Sequence, residues 1–170
     1  MTTWKCVSQC PLNTYGDHSN TSDYVCVTEC LQAGWYSDNS TWTCVQTCPI
    51  TPSYYADIGL GKCVDKCRVE VGEFASDSTR ECVTNCPSTY FADNNTRRCL
   101  QDCLIVPSTY RFDDTTLSPR APVCVLQCPI GFFGDNSTRN CVANCPAGPD
   151  YYADDLSRLC VSVCPYTANM

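Results

Sequence analysis

The chain has few of the residues from which catalytic centres and membrane spans are built. Its 170 residues include a single histidine, His18, in a predicted turn, so we expect no Ser/His/Asp or Cys/His catalytic arrangement. The segment Gly59-Leu60-Gly61-Lys62 lacks the spacing and hydroxyl of a phosphate-binding loop. The sequence therefore predicts no enzymatic activity, no catalytic residue and no cofactor other than covalent N-glycans.

Long apolar runs and an excess of basic residues are also missing. Runs such as Leu104–Val106 are far too short to cross a bilayer, which predicts no membrane span in this segment. The first residues, Met1 to Cys6, lack the charged and apolar regions of a secretory signal, which fits a mature or excised segment. The formal net charge of −7 argues against nucleic acid as a partner.

Cysteine is what the chain has in abundance. Its 18 cysteines exceed a tenth of the sequence, a level typical of disulfide scaffolds, and disulfides persist in oxidising compartments. Zinc sites instead favour isolated four-ligand sets that often include histidine. An even count in a regular pattern with one histidine favours disulfides over metal. We therefore expect an extracellular or cell-surface location and no metal site.

The cysteines form a tandem repeat of nine Cys-x3-Cys pairs. Successive pairs begin 17 to 25 residues apart, at Cys6, Cys26, Cys44, Cys63, Cys82, Cys99, Cys124, Cys141 and Cys160. The first cysteine is nearly always followed by Val, and the second is often followed by Pro. This periodicity predicts one continuous array over residues 1–170, with about nine modules of roughly 19 residues and terminal half-modules at 1–9 and 164–170.

Between the pairs lies a shared phrase of an aromatic residue, a small residue and Asp, followed by a polar stretch. Tyr36-Ser37-Asp38 is one example, while Phe74–Asp77 and Phe112-Asp113 are slipped by one residue in opposite directions. The phrase predicts a short β-hairpin whose return strand carries Cys-Val. Such a ribbon is marginal alone, so we expect little hydrophobic core and an elongated rod of disulfide-closed modules.

Strand geometry predicts the pairing. Residues four apart in an extended segment are separated by roughly 13 Å, whereas a disulfide needs Cα atoms within about 7 Å. The second cysteine of each pair should therefore bond the first cysteine of the next, which predicts 10–26, 30–44, 48–63, 67–82, 86–99, 103–124, 128–141 and 145–160. Each closure contributes on the order of 3 kcal/mol in the chain-entropy model.

This pairing leaves Cys6 and Cys164 over. The segment before Cys6 resembles the second half of a module, as in Ser40–Cys44, and the segment after Cys164 resembles the first half. Joining the two would rebuild a ninth module, which predicts an inter-subunit or flanking disulfide and head-to-tail association of copies. The alternative is a boundary with two free cysteines.

The pattern Cys-Val-x-x-Cys-Pro, then Tyr-x-x-Asp, then Cys-Val-x-x-Cys resembles the furin-like repeats of growth-factor receptors, in particular their single-disulfide modules. Similar arrays are common in surface proteins of ciliates and other protists. The resemblance covers Cys6 to Cys164 and implies the same hairpin-closing disulfides. Modules with two disulfides and Cys-x2-Cys spacings, which the receptor domains also contain, do not occur in this sequence.

Four Asn-x-Ser/Thr sequons fall at equivalent predicted turns: Asn20, Asn39, Asn94 and Asn136. An exposed turn in a secreted chain is accessible to glycosylation. Asn is also favoured in turns that carry no glycan, but this preference does not explain the hydroxyl residue two positions later. The sequence therefore predicts N-glycans at these four residues.

Two further features have competing interpretations. The repeated Asp residues, such as Asp38, are interpreted as turn caps rather than calcium ligands, because Ca²⁺ needs six or more converging oxygens. In the longest loop, the apolar residues Leu104, Ile105, Val106 and Pro107 are either a lateral contact between rods or a tolerated surface insertion.

Taken together, these features predict a structural glycoprotein, a subunit or segment of an extracellular filament, surface coat or appendage. The alternative is the stalk or ligand-binding ectodomain of a cell-surface receptor.

Overall fold

The computed structural model describes residues 9–19, 24–103, 109–113, 122–148 and 151–165. The chain divides into two compact units, one ending at Thr84 and the other beginning at Asn85. The description covers eight β-hairpins, four in each unit, which we number as modules 1 to 8 in chain order. The prediction of one continuous array over residues 1–170 stays a prediction, as do the half-modules at 1–9 and 164–170.

Every module consists of two three-residue strands. In the first unit they are β1 Tyr15–Asp17, β2 Val25–Val27, β3 Tyr36–Asp38, β4 Thr43–Val45, β5 Tyr55–Asp57, β6 Lys62–Val64, β7 Phe74–Ser76 and β8 Glu81–Val83. In the second unit they are β9 Phe91–Asp93, β10 Arg98–Leu100, β11 Tyr110–Phe112, β12 Val123–Val125, β13 Phe133–Asp135, β14 Asn140–Val142, β15 Tyr152–Asp154 and β16 Leu159–Val161.

The two strands of a module are antiparallel, with the middle residue opposite the cysteine. In module 3, for example, Ala56 lies opposite Cys63. In six of the modules a four-residue turn joins the strands; in module 2 the amide of its last residue, Trp42, donates to the carbonyl of Asp38, which ends the first strand, at 2.8 Å. Trp42, Gly61 and Arg80 occupy this last position with φ between 57° and 63°. The turn thus ends in the left-handed region, even where the residue is not glycine.

All eight predicted disulfides are confirmed, and with them the predicted fold class of short hairpins that each carry one disulfide. The bonds join 10–26, 30–44, 48–63, 67–82, 86–99, 103–124, 128–141 and 145–160. Their Cα atoms lie 5.4 to 5.7 Å apart, within the range that a disulfide requires. Each bond links the start of its module to the return strand, so the hairpin is closed at its base.

Successive modules within a unit are joined through their backbones. The first strand of one module runs parallel to the second strand of the next, in the pairs β1/β4, β3/β6 and β5/β8 of the first unit and β9/β12, β11/β14 and β13/β16 of the second. The middle residue of the first strand donates its amide to the following module, as from Ala56 to the Arg80 carbonyl at 2.9 Å. Five of the six acceptor carbonyls belong to residues at the left-handed end of a turn, and Pro122 supplies the sixth.

The buried residues form small clusters around disulfides instead of one large core. Tyr36 of module 2 packs with Cys48, Ala56 and Cys63 of module 3. Tyr55 of module 3 packs in the same way with Cys67, Ala75 and Cys82 of module 4. Each of these tyrosines therefore covers the disulfide of the following module, which confirms the expected small hydrophobic core.

The Asp of module 4 is displaced by one residue, as expected, whereas the expected slip of Phe112-Asp113 in module 6 is wrong. In module 4, β7 is in register, and Ser76 occupies the position that Asp holds elsewhere, with Asp77 as the first residue of the turn. In module 6, Tyr110 is the first-strand aromatic residue, so Phe112 stands at the Asp position and packs edge-on against Phe132, with ring centroids 5.1 Å apart. The register is defined by the residue that lies opposite the cysteine, and not by sequence similarity between the modules.

No helix among the described residues has the length and apolar character needed to cross a membrane.

Candidate functional site

The most distinctive chemistry of the molecule lies where the turn of one module meets the tyrosine of the preceding one. Three of the predicted glycosylation residues, Asn39, Asn94 and Asn136, lie at the first position of a four-residue turn and are exposed. The fourth, Asn20, lies outside the described residues. Asn39 and Asn136 are therefore part of a contact between modules as well as candidate modification sites.

The carbonyl oxygens of two of these asparagines accept hydrogen bonds from the preceding module. The Tyr15 hydroxyl donates to Asn39 Oδ1 at 2.6 Å, and the Tyr110 hydroxyl donates to Asn136 Oδ1 at 2.6 Å. The Tyr55 hydroxyl makes the same contact with Asp77 Oδ1 at 2.7 Å, without a sequon. An acceptor at this position thus has a structural role. A glycan on Nδ2 leaves Oδ1 in place as an acceptor.

The hydroxyl residue of the sequon has a structural role too. Thr41 donates to Asp38 Oδ2 at 2.6 Å, and Thr138 donates to Asp135 Oδ2 at 2.7 Å. Ser157 makes the corresponding bond to Asp154 in module 8, where no sequon exists. The structure therefore supplies a reason, other than glycosylation, for the hydroxyl that the sequence left unexplained. The four glycans stay a prediction.

The Asp at the end of the first strand organises the turn. Asp38, Asp93 and Asp135 are 1 to 2% exposed, and each carboxylate accepts bonds from its own turn. Backbone amides two residues later donate to Oδ1 in all three modules, at 2.9 to 3.1 Å. This geometry matches the interpretation of these residues as turn caps.

Hydrogen bonds shift the acidity of two of these carboxyl groups. Burial disfavours the charged form of Asp135, but donation from Thr138 and Ser137 outweighs it, so the pKa lies below its ordinary value. The Ser157 hydroxyl is the main cause of the lowered pKa of Asp154. Both groups therefore stabilise the turn in the ionised form that prevails at neutral pH.

A second contact joins the same modules through the left-handed residue at the end of the turn. The Arg80 guanidinium lies over the Tyr55 ring at 4.6 Å, and Arg139 lies over Tyr110 at 4.8 Å. Trp42 stacks on Tyr15 with ring centroids 5.8 Å apart. The tyrosine is thus held by its hydroxyl and by its ring face, and both partners come from the next module. Cation–π contacts of this kind contribute about 0.5–2 kcal/mol.

In module 3 the Asp at the end of the first strand has different partners. Its turn places Ile58 at the acceptor position and Leu60 where other modules have Ser or Thr. The fully buried Asp57 carboxylate lies 2.7 Å from Arg68 Nε, and Arg68 Nη2 also donates to Glu73 at 2.7 Å. The hydrogen bond to Glu73 is the main cause of the raised pKa of Arg68. An ion pair therefore compensates a carboxylate that lacks a hydroxyl donor.

A cleft of about 270 Å³ lies among modules 2, 3 and 4. Tyr36, Arg80 and Glu81 are among its lining residues. Burial and the nearby Glu81 raise the pKa of Tyr36, which keeps its hydroxyl protonated at neutral pH. Tyr36 differs from Tyr15 and Tyr55 in that the next module offers Ile58 where they find Asn or Asp.

The remaining predicted residues are distributed as follows. Cys164 is a free thiol and is exposed, whereas its predicted partner Cys6 lies outside the described residues. The candidate lateral contact, Leu104 to Pro107, also lies outside them. His18 is exposed and lies between the rings of Tyr24 and Trp35, with centroid distances of 5.7 and 5.5 Å.

Neither a protein-family model, nor a curated protein, nor a solved structure matches the chain. What the structure establishes is a tandem array of cysteine-rich hairpin modules. The resemblance to furin-like repeats stays a prediction from the sequence.

The tyrosine contact generates a prediction with an internal control. Tyr55→Phe removes the hydroxyl that donates to Asp77 but keeps the ring under Arg80. We expect the contact between the two modules to lose about 1 kcal/mol of stability, because the acceptor loses one hydrogen bond. Hydrogen exchange at the Ala56 amide, which bonds the Arg80 carbonyl, should accelerate roughly fivefold.

Tyr36→Phe is the control, because the next module has Ile58 at the acceptor position. Exchange at the Ser37 amide, which bonds the Gly61 carbonyl, should stay unchanged in this variant. Equal effects of the two substitutions would contradict the role of the tyrosine hydroxyl.

Proposed function

We propose that this protein is a structural glycoprotein of an extracellular filament, surface coat or appendage, built from furin-like repeats and without enzymatic activity. The observation that carries the proposal is the repeated contact between modules. In each unit the same backbone bond joins every module to the next, and tyrosine contacts reinforce it. Repeated nearest-neighbour contacts are the basis of tandem-repeat architectures.

The disulfides support an oxidising, secreted environment. Eight of them occur among the described residues, one in each module, and cytosolic proteins rarely maintain such a set. Modules with so few buried apolar residues depend on such crosslinks for their stability. An extracellular setting is therefore part of the proposal.

The connectivity also supports a mechanical role. Cys26 of module 1 and Cys30 of module 2 are four positions apart, and each is bonded to the other end of its own module. A pulling force therefore passes through a disulfide, a short linker and the next disulfide, and it bypasses every hairpin loop. Each disulfide therefore keeps its hairpin loop out of the path along which tension acts.

Force spectroscopy tests the load path. Removing the 86–99 disulfide by Cys86→Ala and Cys99→Ala should lengthen the stretched chain by roughly 40 Å, because 13 residue steps at about 3.4 Å replace one short bond. Removing the 103–124 disulfide, which spans 21 steps, should lengthen it by roughly 65 Å. Equal lengthening, or none, would show that the disulfides do not carry the load.

N-glycans on the exposed turns complete the proposal. The acceptors are Asn39, Asn94 and Asn136, whose exposure supports accessibility, together with Asn20 outside the described residues. Asn39→Asp should remove one glycan and keep the acceptor for Tyr15, as Asp77 does for Tyr55. Peptide mapping after enzymatic deglycosylation of the secreted chain should show one modified site fewer. Hydrogen exchange at the Gly16 amide, measured separately, should stay unchanged.

The matched variant is Asn39→Ala, which removes the glycan and the acceptor together. Exchange at the Gly16 amide, which bonds the Trp42 carbonyl, should then accelerate. If mapping of the secreted parent chain finds all sequons unmodified, the glycoprotein part of the proposal fails.

Imaging of native material tests the function itself. We expect gold-labelled antibodies against the chain to decorate continuous fibres or a coat on the cells that make it. Labelling of single, separated particles at the membrane would instead indicate a receptor ectodomain, and intracellular labelling would exclude both functions.

A further inference from the structure

Tyr36 differs from the equivalent tyrosines in what the following turn offers it. Tyr15 and Tyr55 each meet an acceptor from the first position of that turn and a ring or guanidinium from its last position. The turn of module 3 instead has Ile58 at the first position and Gly61 at the last. The Tyr36 side chain therefore lacks both partners that hold its counterparts.

The backbone joint between modules 2 and 3 is nevertheless complete. The Ser37 amide donates to the Gly61 carbonyl at 2.9 Å, like the equivalent bonds elsewhere. Gly61 has a φ of 63°, close to the 60° of Arg80, and a Cβ on Gly61 would meet no heavy atom within 4 Å. Module 3 thus departs from the repeat in its side chains alone, although the backbone leaves room for them.

The cleft of about 270 Å³ among modules 2, 3 and 4 lies beside this tyrosine. Its lining includes six polar or charged side chains: Tyr36, Gln46, Thr47, Thr79, Arg80 and Glu81. Within the described part of the chain, the Tyr36 hydroxyl and the Glu81 carboxylate form no hydrogen bond with another residue. The cleft therefore presents polar groups that are available to a ligand.

The charges of the lining disfavour an ionic ligand. The Arg80 Nη2 donates to the carbonyls of Pro49 and Tyr54, and its Nη1 lies 3.7 Å from Asp77 Oδ1. Because the guanidinium is engaged in these contacts, the uncompensated charge of the lining is that of Glu81, which would repel an anion. A metal cation requires several converging oxygens, and one carboxylate supplies too few.

The remaining groups suit a neutral compound with several hydroxyls. The Glu81 carboxylate only accepts, whereas the Tyr36 and Thr47 hydroxyls can donate or accept. Neighbouring hydroxyls of a sugar ring donate and accept at the same time, so one ring can satisfy both kinds of group. The cleft is smaller than the pockets of about 300–1,000 Å³ that hold drug-sized ligands, which favours a single ring over an oligosaccharide.

We propose that this cleft binds one neutral sugar ring of a glycan, with Glu81 accepting from its hydroxyls and Tyr36 donating to one of them. The inference goes beyond the proposed function and stands whether or not the chain belongs to a filament. The ring comes from an N-glycan of another copy or from a saccharide of the surroundings, and both sources present the same chemistry.

Nuclear magnetic resonance on the ¹⁵N-labelled, enzymatically deglycosylated chain tests the site. The probes are the methyl pyranosides of mannose, galactose and glucose. We expect at least one of them to shift the amide signals of Gly34, Thr47 and Arg80, with a Kd of roughly 1–10 mM because so small a ligand makes few contacts. Glucuronate, a sugar ring with a carboxylate, should bind more weakly because of Glu81. Absence of localised shifts with all three pyranosides, or tighter binding of glucuronate, would overturn the proposal.

Two substitutions together restore the pattern of the other modules and should close the site. Ile58→Asn supplies the acceptor that Asn39 offers to Tyr15, and Gly61→Arg supplies a guanidinium in the conformation of Arg80. We expect the double variant to bind the probe roughly tenfold more weakly, with no fall in its thermal unfolding temperature. Unchanged affinity would show that the ligand does not occupy the space beside the tyrosine.

The carboxylate is tested with a matched pair of variants. Glu81→Gln removes the charged acceptor from the cleft and should weaken binding about fivefold. Glu29→Gln makes the same change of charge at an exposed residue outside the cleft and should leave the affinity unchanged. Equal effects of the two substitutions would attribute binding to net charge and refute the site.

The source of the sugar is distinguished by sedimentation of the secreted chain before and after deglycosylation. If the ring belongs to another copy, the glycosylated chain should self-associate, and the bound pyranoside should dissociate the complex. Equal sedimentation before and after deglycosylation, together with pyranoside binding, would assign the ring to a saccharide of the surroundings. Imaging of native material is independent of both results, so failure of sugar binding leaves the proposed structural function standing.

Discussion

The closure of each hairpin by one disulfide is the constraint on which the rest of the structure depends. A strand pair of three residues each is marginal in water, and the buried residues beside it are one aromatic ring, one small residue and the disulfide itself. Loop closure lowers the entropy of the unfolded chain by an amount that such a core does not supply. It also fixes the return strand opposite the middle of the first strand, which sets the register of every module.

Once the register is fixed, the edge of each hairpin becomes a repeated docking surface. The middle amide of the first strand faces outwards, and the turn of the next module ends in a left-handed residue whose carbonyl accepts it. The tyrosine beside this amide is held by an acceptor and by a ring or guanidinium from the same turn. The turn that donates hydrogen bonds to the carboxylate of its own Asp therefore also supplies the contacts to the neighbouring module.

The sequons illustrate how one residue can serve two purposes. Asn39 and Asn136 accept a tyrosine hydroxyl through Oδ1, and Thr41 and Thr138 donate to the buried Asp of their turn. Glycosylation at Nδ2 is compatible with all of these bonds, so the proposed glycans add to the contact and do not compete with it. Asp77 shows that the contact exists without a sequon.

The local structure could be predicted from the sequence, because the cysteine period, the turn residues and the reach of a strand leave one consistent pairing. All eight disulfides and the hairpin in each module followed from these short-range constraints. Which residues of neighbouring modules meet could not be predicted in this way. The bond from Tyr15 to Asn39 crosses 24 positions, and the register of module 6 depends on cross-strand partners that sequence similarity assigns incorrectly. Such contacts depend on how one hairpin stacks on the next, and this geometry is not contained in the spacing of the cysteines.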